Sequence, residues 1–316
     1  MSDAVLLIAH GTVDVLDDLP AFVTNIRRGH APPPELIAEL RRRYEAIGGS
    51  SPLNATTRAI AAKVEARLGV TTRMAMRLWH PYPREVLGEL ARVGVTRVAV
   101  VPLAQHSSHV YGEAVREAAA AIAAEENGAK LAVVCAPNWG RTPALTRAFA
   151  AQAVRAIRAI PRESWGKTTL AMTAHSLPLA IVRGGDPYET EARASAEEVA
   201  REVRRILGDD APKHVIAFQS QGMSKGPGGK PMEWLGPDLP SLLDDVKTRG
   251  DTHVVVAPIG FLADHVEILF DLDIEAAAWA KERGIAFSRT ESLNASDALV
   301  DALCEVAAPL LASKEG

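Results

Sequence analysis

The strongest constraint on the fold is a series of short, unbroken apolar runs. "AVLLIA" (4–9), "RVAVVPLA" (97–104), "KLAVVCA" (130–136), "TTLAMTA" (168–174), "HVIAFQ" (214–219), "THVVVAPI" (252–259) and "GIAFS" (284–288) recur along the chain. Runs of this length without polar alternation read as strands buried on both faces. "TTRMAMRLW" (71–79) is a weaker eighth. Helical patterns such as "PELIAELRRRYEAI", "TTRAIAAKVEARL", "PREVLGELARV", "ALTRAFAAQAVRAIRAI" and "ASAEEVAREVRRIL" lie between them. Strands and helices in alternation predict an α/β protein with parallel sheets covered by helices on both faces.

The pattern also occurs twice. "LLIAHGT" (6–12) and "AMTAHSL" (171–177) each end an apolar strand in Ala-His and lie about half the chain apart. The 316 residues suffice for two cores. We therefore expect two similar domains, 1–140 and 141–290, with the break near "PNWGRTPAL" (137–145). The amphipathic helix over 296–312 is assigned to the first domain.

Composition excludes several functions. A net charge of −4 and a pI near 6.2 do not suit a protein that coats nucleic acid. The start "MSDAVLLIAHGT" has no basic leader, and no apolar stretch reaches the roughly 18 residues of a membrane span. The two cysteines, Cys135 and Cys304, are too few for an iron–sulfur cluster, which needs about four. A reducing cytoplasm fits this usage.

Ligands of open parallel sheets bind beyond the carboxyl ends of the strands. The predicted strands deliver His10; Gln105 and His106, with His109 close behind; His175 and Ser176; Gln219 and Ser220; and Gly260, Phe261, His265 and Glu267. Imidazoles and carboxylates gathered this way suit metal binding or proton transfer. For any single histidine, capping or surface placement is the plainer reading. His175 with Glu267 carries the functional one. Ser176 lacks the glycine-flanked turn that exposes a nucleophilic serine.

Two charged stretches stand apart. In "FLADHVEILFDLDIE" (261–275), Glu267, Asp271 and Glu275 follow at intervals of four, on one helical face. Like charges at that spacing destabilise by about 0.2–0.5 kcal/mol per pair, and no Lys or Arg lies within the stretch. The face is either a solvated acidic stripe or a cation site. In "NIRRGHAPPPELIAELRRRYEAIGGSSPL" (25–53), Arg27 and Arg28 in a loop suit bidentate capture of carboxylates, whereas Arg41, Arg42 and Arg43 line a helix. No Walker A or Gly-x-Gly-x-x-Gly pattern is present. "GMSKGPGGKPMEW" (222–234) reads as a loop, either a surface excursion or a flap.

Taken together, "IRRGHAPPPELIAELRRRYEAIGGSSPL", "TAHSLP" with "GDPY" (185–188), "FQSQG" with "WLGPDL" (234–239), and "APIGFLADHVEILFDLDIE" resemble the ferrochelatase family over nearly the whole chain. The likeness is to the compact bacterial form without a cluster-binding C-terminal segment. It implies two Rossmann-like, chelatase-type domains related by an approximate twofold, with porphyrin in the cleft between them. It further implies insertion of ferrous iron into protoporphyrin IX or coproporphyrin III, a lyase step of haem biosynthesis, without an organic cofactor. By motif, the catalytic pair falls on His175 and Glu267, and the acidic lane on Asp271 and Glu275. The outer metal site falls on Glu275 with Arg43, and porphyrin contacts on Ser51, Arg27 and Arg28. The resemblance also implies a π-type widening of the acidic helix.

Compact relatives place a tyrosine where this chain has His10. That position is similar to the Ala-His-Gly or Gly-His-Gly start of the small cobalt and sirohydrochlorin chelatases, in which the histidine is a metal ligand. His10 is therefore counted among both the metal and the porphyrin residues. A soluble monomer is expected, making transient contact with neighbouring haem-pathway enzymes and binding no nucleic acid. The rival readings are a cobalt or nickel tetrapyrrole chelatase and a non-catalytic tetrapyrrole-binding or haem-delivery protein.

Overall fold

The computed structural model describes residues 2–125, 128–222 and 232–313. Residues 223–231 of the loop expected at 222–234 therefore lie outside the described residues. All eight predicted strands are present: β1 (Ser2–Ala9), β2 (Thr72–Met76), β3 (Val95–Pro102), β4 (Ala132–Cys135), β5 (Thr168–His175), β6 (Lys213–Gln219), β7 (His253–Ala257) and β8 (Ala286–Arg289). They form two four-stranded parallel sheets with orders β2-β1-β3-β4 and β6-β5-β7-β8. Both sheets thus share one topology, as the repeated Ala-His strand ends anticipate.

The chain divides into two compact units. The first runs to Ala144 and includes Ala263–Val266 and the residues from Asn294 on; the second comprises Leu145–Leu262 and Glu267–Leu293.

In the first unit, α1 (Leu19–Ile26), α2 (Pro34–Ala46), α3 (Leu53–Leu68), α4 (Pro83–Arg92) and α5 (Ser108–Ala123) surround the sheet. Leu6, Ile8, Val98 and Val100 pack against Val86, Leu87 and Leu90 of α4 and against Val115 and Ile122 of α5. Burial of β1 on both faces explains why the strand carries no polar alternation.

The second unit contains α6 (Pro143–Arg158, entering from the first), α7 (Leu179–Arg183), α8 (Tyr188–Leu207), α9 (Leu239–Thr248), α10 (Val266–Leu269, whose first residue belongs to the first) and α11 (Ala277–Glu282). Leu242, Leu243 and Val246 of α9 cover Val254 and Val256, and so do Ile268 and Leu272. The last helix, α12 (Asp297–Ala312), packs on α3 and β3. Its carboxyl end is tied down by Arg97, which donates to the carbonyls of Leu310, Leu311 and Ser313. A guanidinium there satisfies carbonyls that the helix itself leaves unpaired. No helix among the described residues is long and apolar enough to cross a membrane.

Candidate active site

The second unit gathers its polar groups at the carboxyl ends of β5 and β6 and along the helix after β7. His175 is the last residue of β5. Its Nδ1 donates to the carbonyl of Ser176 at 2.5 Å. Because a carbonyl only accepts, the proton sits on Nδ1, and Nε2 faces the Glu267 carboxylate with 3.5 Å to Oε1. Both side chains are about one-third exposed, 35% and 34%. Tyr188, at the start of α8 in "GDPY", donates its hydroxyl to the His175 carbonyl at 2.9 Å, which fixes the strand end.

Burial alone would lower the His175 pKa, but the Glu267 charge and hydrogen bond, the Ser176 carbonyl and the Asp271 charge outweigh it. The value rises to about 9. At neutral pH, before any cation arrives, this imidazole holds a proton.

The chain reaches Glu267 by a tight path. A Cβ on Gly260 would lie 2.5 Å from the Ala174 Cα, so only glycine lets the segment after β7 pass so close to the end of β5. The Gly260 N–H donates to the Thr173 carbonyl at 2.9 Å along that contact.

Glu267 lies on α10, and a π-helical segment follows from Asp271 to Ala276, as the resemblance implied. The Glu275 N–H bonds to the Phe270 carbonyl, five residues back, at 3.0 Å. An ideal α-helix drifts by about 40° every four residues, and a wider turn runs against that drift. Ile268, Leu272 and Ala276 anchor the opposite face in the core. Asp271 is only 5% exposed, and the Ser220 hydroxyl donates to its Oδ2 at 2.5 Å. Gln219, also buried, donates to the Glu267 carbonyl at 3.1 Å. Glu275 is half-buried. The remaining acid, Asp273, has a separate role in a bidentate pair with Arg289 at 2.6 and 2.9 Å.

Among the described residues, no three His, Cys, Asp or Glu side chains are grouped closely enough to enclose a metal ion. The arrangement is a run of acids with one imidazole beside the first. Ser176 is fully buried and donates to the Leu235 carbonyl at 2.8 Å, so it has no nucleophilic role.

The other expected residues lie in the first unit. His10 follows β1 and is exposed; its Nδ1 is 3.5 Å from the Tyr111 hydroxyl, and the ring edge meets Phe22. Arg27 donates through Nε to the His30 carbonyl at 3.3 Å, and Arg28 holds a left-handed backbone at φ 55°. Arg43 Nε donates to Glu39 at 2.8 Å. Hydrogen bonds from Arg42 and Arg43 hold the Glu39 carboxyl at about 2. Ser51 is buried, and its hydroxyl accepts from the Leu53 N–H at 3.4 Å. His106 is buried in the core, where burial lowers its pKa to about 4. It is a packing histidine. Tyr111 was not anticipated, although "HVY" (109–111) repeats the "HVE" of 265–267.

Comparison with known proteins gives a consistent picture. The ferrochelatase family model matches residues 2–309. The ferrochelatase of Acidobacterium capsulatum is 34% identical, over 96% of this chain and 93% of its own. The coproporphyrin III ferrochelatase of Geobacillus kaustophilus is 33% identical, over 95% of this chain and 93% of its own. Among solved structures, SirB from Bacillus subtilis with Fe3+ shares the fold at a TM-score of 0.60 and 13% identity, covering 99% of this chain and 96% of that one.

Proposed function

The chain belongs to the ferrochelatase family, whose reaction inserts ferrous iron into a porphyrin in haem biosynthesis, and we propose that His175 and Glu267 carry that reaction here. The carrying observation is the 3.5 Å separation of His175 Nε2 and Glu267 Oε1. Two ligand bonds of about 2.1 Å to atoms so spaced subtend about 113° at the ion, an angle that first-row divalent metals accept.

The reaction exchanges one Fe2+ for the two pyrrole N–H protons of the macrocycle, so both protons must find a base. Glu267 and a neutral His175 are those acceptors. The acids Asp271 and Glu275 form the approach, with oxygen ligands for a hydrated cation. The like-charge cost along the helix is small beside that use. Arg27, Arg28 and Ser51 serve the porphyrin and its carboxylates, and His10 ligates iron. The protein works as a monomer in the reducing cytoplasm and hands its product on by transient contact.

The test is an anaerobic assay with ferrous iron, run in parallel with protoporphyrin IX and coproporphyrin III. Metalation of either, lost in the double variant His175→Ala/Glu267→Gln, is expected. Tight binding of both porphyrins without metalation would instead identify a non-catalytic carrier.

A further inference from the structure

The shared topology of the two sheets extends to side chains. In the first sheet Leu7 pairs with Val101, and His10 lies three residues beyond Leu7 and Tyr111 ten beyond Val101. In the second, Met172 pairs with Ala257, and His175 lies three beyond Met172 and Glu267 ten beyond Ala257. The offsets are identical. Each pair is also in contact at 3.5 Å, through opposite ring nitrogens: Tyr111 Oη meets His10 Nδ1, and Glu267 Oε1 meets His175 Nε2.

A third position corresponds as well. Ala9 pairs with Met76 and Ala174 with Phe218, so Arg77 and Gln219, each the next residue, are equivalent. Gln219 holds the Glu267 backbone at 3.1 Å, and the Arg77 guanidinium lies over the Tyr111 ring, 5.5 Å from its centroid. The His10 backbone is fixed too, since its carbonyl accepts from the Leu78 N–H at 3.0 Å. His10, Arg77 and Tyr111 are thus the first-unit counterparts of His175, Gln219 and Glu267.

We propose that Tyr111 is a positioning residue for His10, its phenol oxygen accepting from Nδ1–H so that Nε2 is the atom offered to the iron of a bound metalloporphyrin. The proposal rests on reading His10 as an iron ligand. A histidine that ligates through one ring nitrogen needs its other N–H held, because that bond sets both tautomer and ring orientation. Phenol is a weaker acceptor than carboxylate, so the first-unit pair is a softer version of the second.

The experiment adds iron(III) protoporphyrin IX or iron(III) coproporphyrin III to the purified full chain and reads axial imidazole ligation in the visible spectrum. His10→Ala should abolish the imidazole signature. Tyr111→Phe keeps the ring beneath Arg77 and should weaken ligation about tenfold, the lower range for losing the partner of a ligating histidine. Tyr111→Glu copies the carboxylate of the second unit and should restore ligation to at least the native level. If His10→Ala alters the spectrum while Tyr111→Phe does not, the positioning role is overturned and the His10 reading stands. Equal weakening in Tyr111→Phe and Tyr111→Glu would reduce Tyr111 to packing and overturn it as well. A native spectrum in His10→Ala removes the His10 reading, and this proposal with it.

Discussion

His175 Nε2 faces Glu267 Oε1 across 3.5 Å, while the opposite ring nitrogen is committed to the Ser176 carbonyl. One atom of the imidazole is therefore structural and the other chemical. A proton or a metal ion can occupy the space between Nε2 and the carboxylate, but not both.

That competition sets a pH dependence. The folded pKa of His175, about 9, lies above the ordinary value of 6.5. Each pH unit below about 9 should therefore raise the iron concentration for half-maximal rate by up to tenfold, because iron must displace the proton. Measured anaerobically from pH 7 to 9, that concentration should fall and then level. A flat profile would mean that no proton is displaced. The same pair contributes stability that is fully present below pH 6.5 and is lost as pH rises through about 9.

Glu267→Gln removes the charge that does most to raise the His175 pKa, as well as one ligand and one base. Turnover should fall at least about 100-fold, the lower range for losing a general acid–base group. Porphyrin binding should remain measurable by fluorescence quenching. Turnover within about tenfold of native, about 1.4 kcal/mol, would exclude Glu267 from the chemistry.

Asp271→Asn and Glu275→Gln should act on iron delivery. We expect each to raise the half-saturating iron concentration about tenfold while changing the rate at saturating iron by less than about threefold. Equal losses at limiting and saturating iron would contradict an approach route.

Much of this was legible in the sequence because burial on both faces leaves unmistakable apolar strands, and strand ends then point to the site. His175 and Glu267 were paired on the expectation that they come from different halves of the chain, whereas both lie in the second unit. The contribution of Ser220 to Asp271 was not legible, since a hydroxyl–carboxylate bond across 51 residues leaves no periodic trace. Arg43 was matched by motif to an outer metal site, and the structure shows its local bond to Glu39, four residues earlier on α2. Tyr111 stayed hidden because its partner in the repeat is a carboxylate, and the equivalence emerges only from the strand register.

The last prediction separates strain from chemistry at Ser220. This residue follows β6 with φ 60°, a left-handed conformation that costs a non-glycine residue about 1 kcal/mol, and its hydroxyl bonds the buried Asp271 carboxylate. Such strain persists where the surrounding structure enforces it, commonly at a functional site. Ser220→Ala keeps the strain and loses a charge-assisted hydrogen bond, worth about 1.5–3 kcal/mol. Ser220→Gly loses the same bond but relieves the strain. In denaturant unfolding, Ser220→Gly should therefore be more stable than Ser220→Ala by about 1 kcal/mol. Both should raise the half-saturating iron concentration to the same extent, because both leave Asp271 without its donor. If the alanine variant is the more stable, the left-handed turn carries no strain. If the two differ in iron dependence, backbone geometry rather than the hydroxyl governs Asp271.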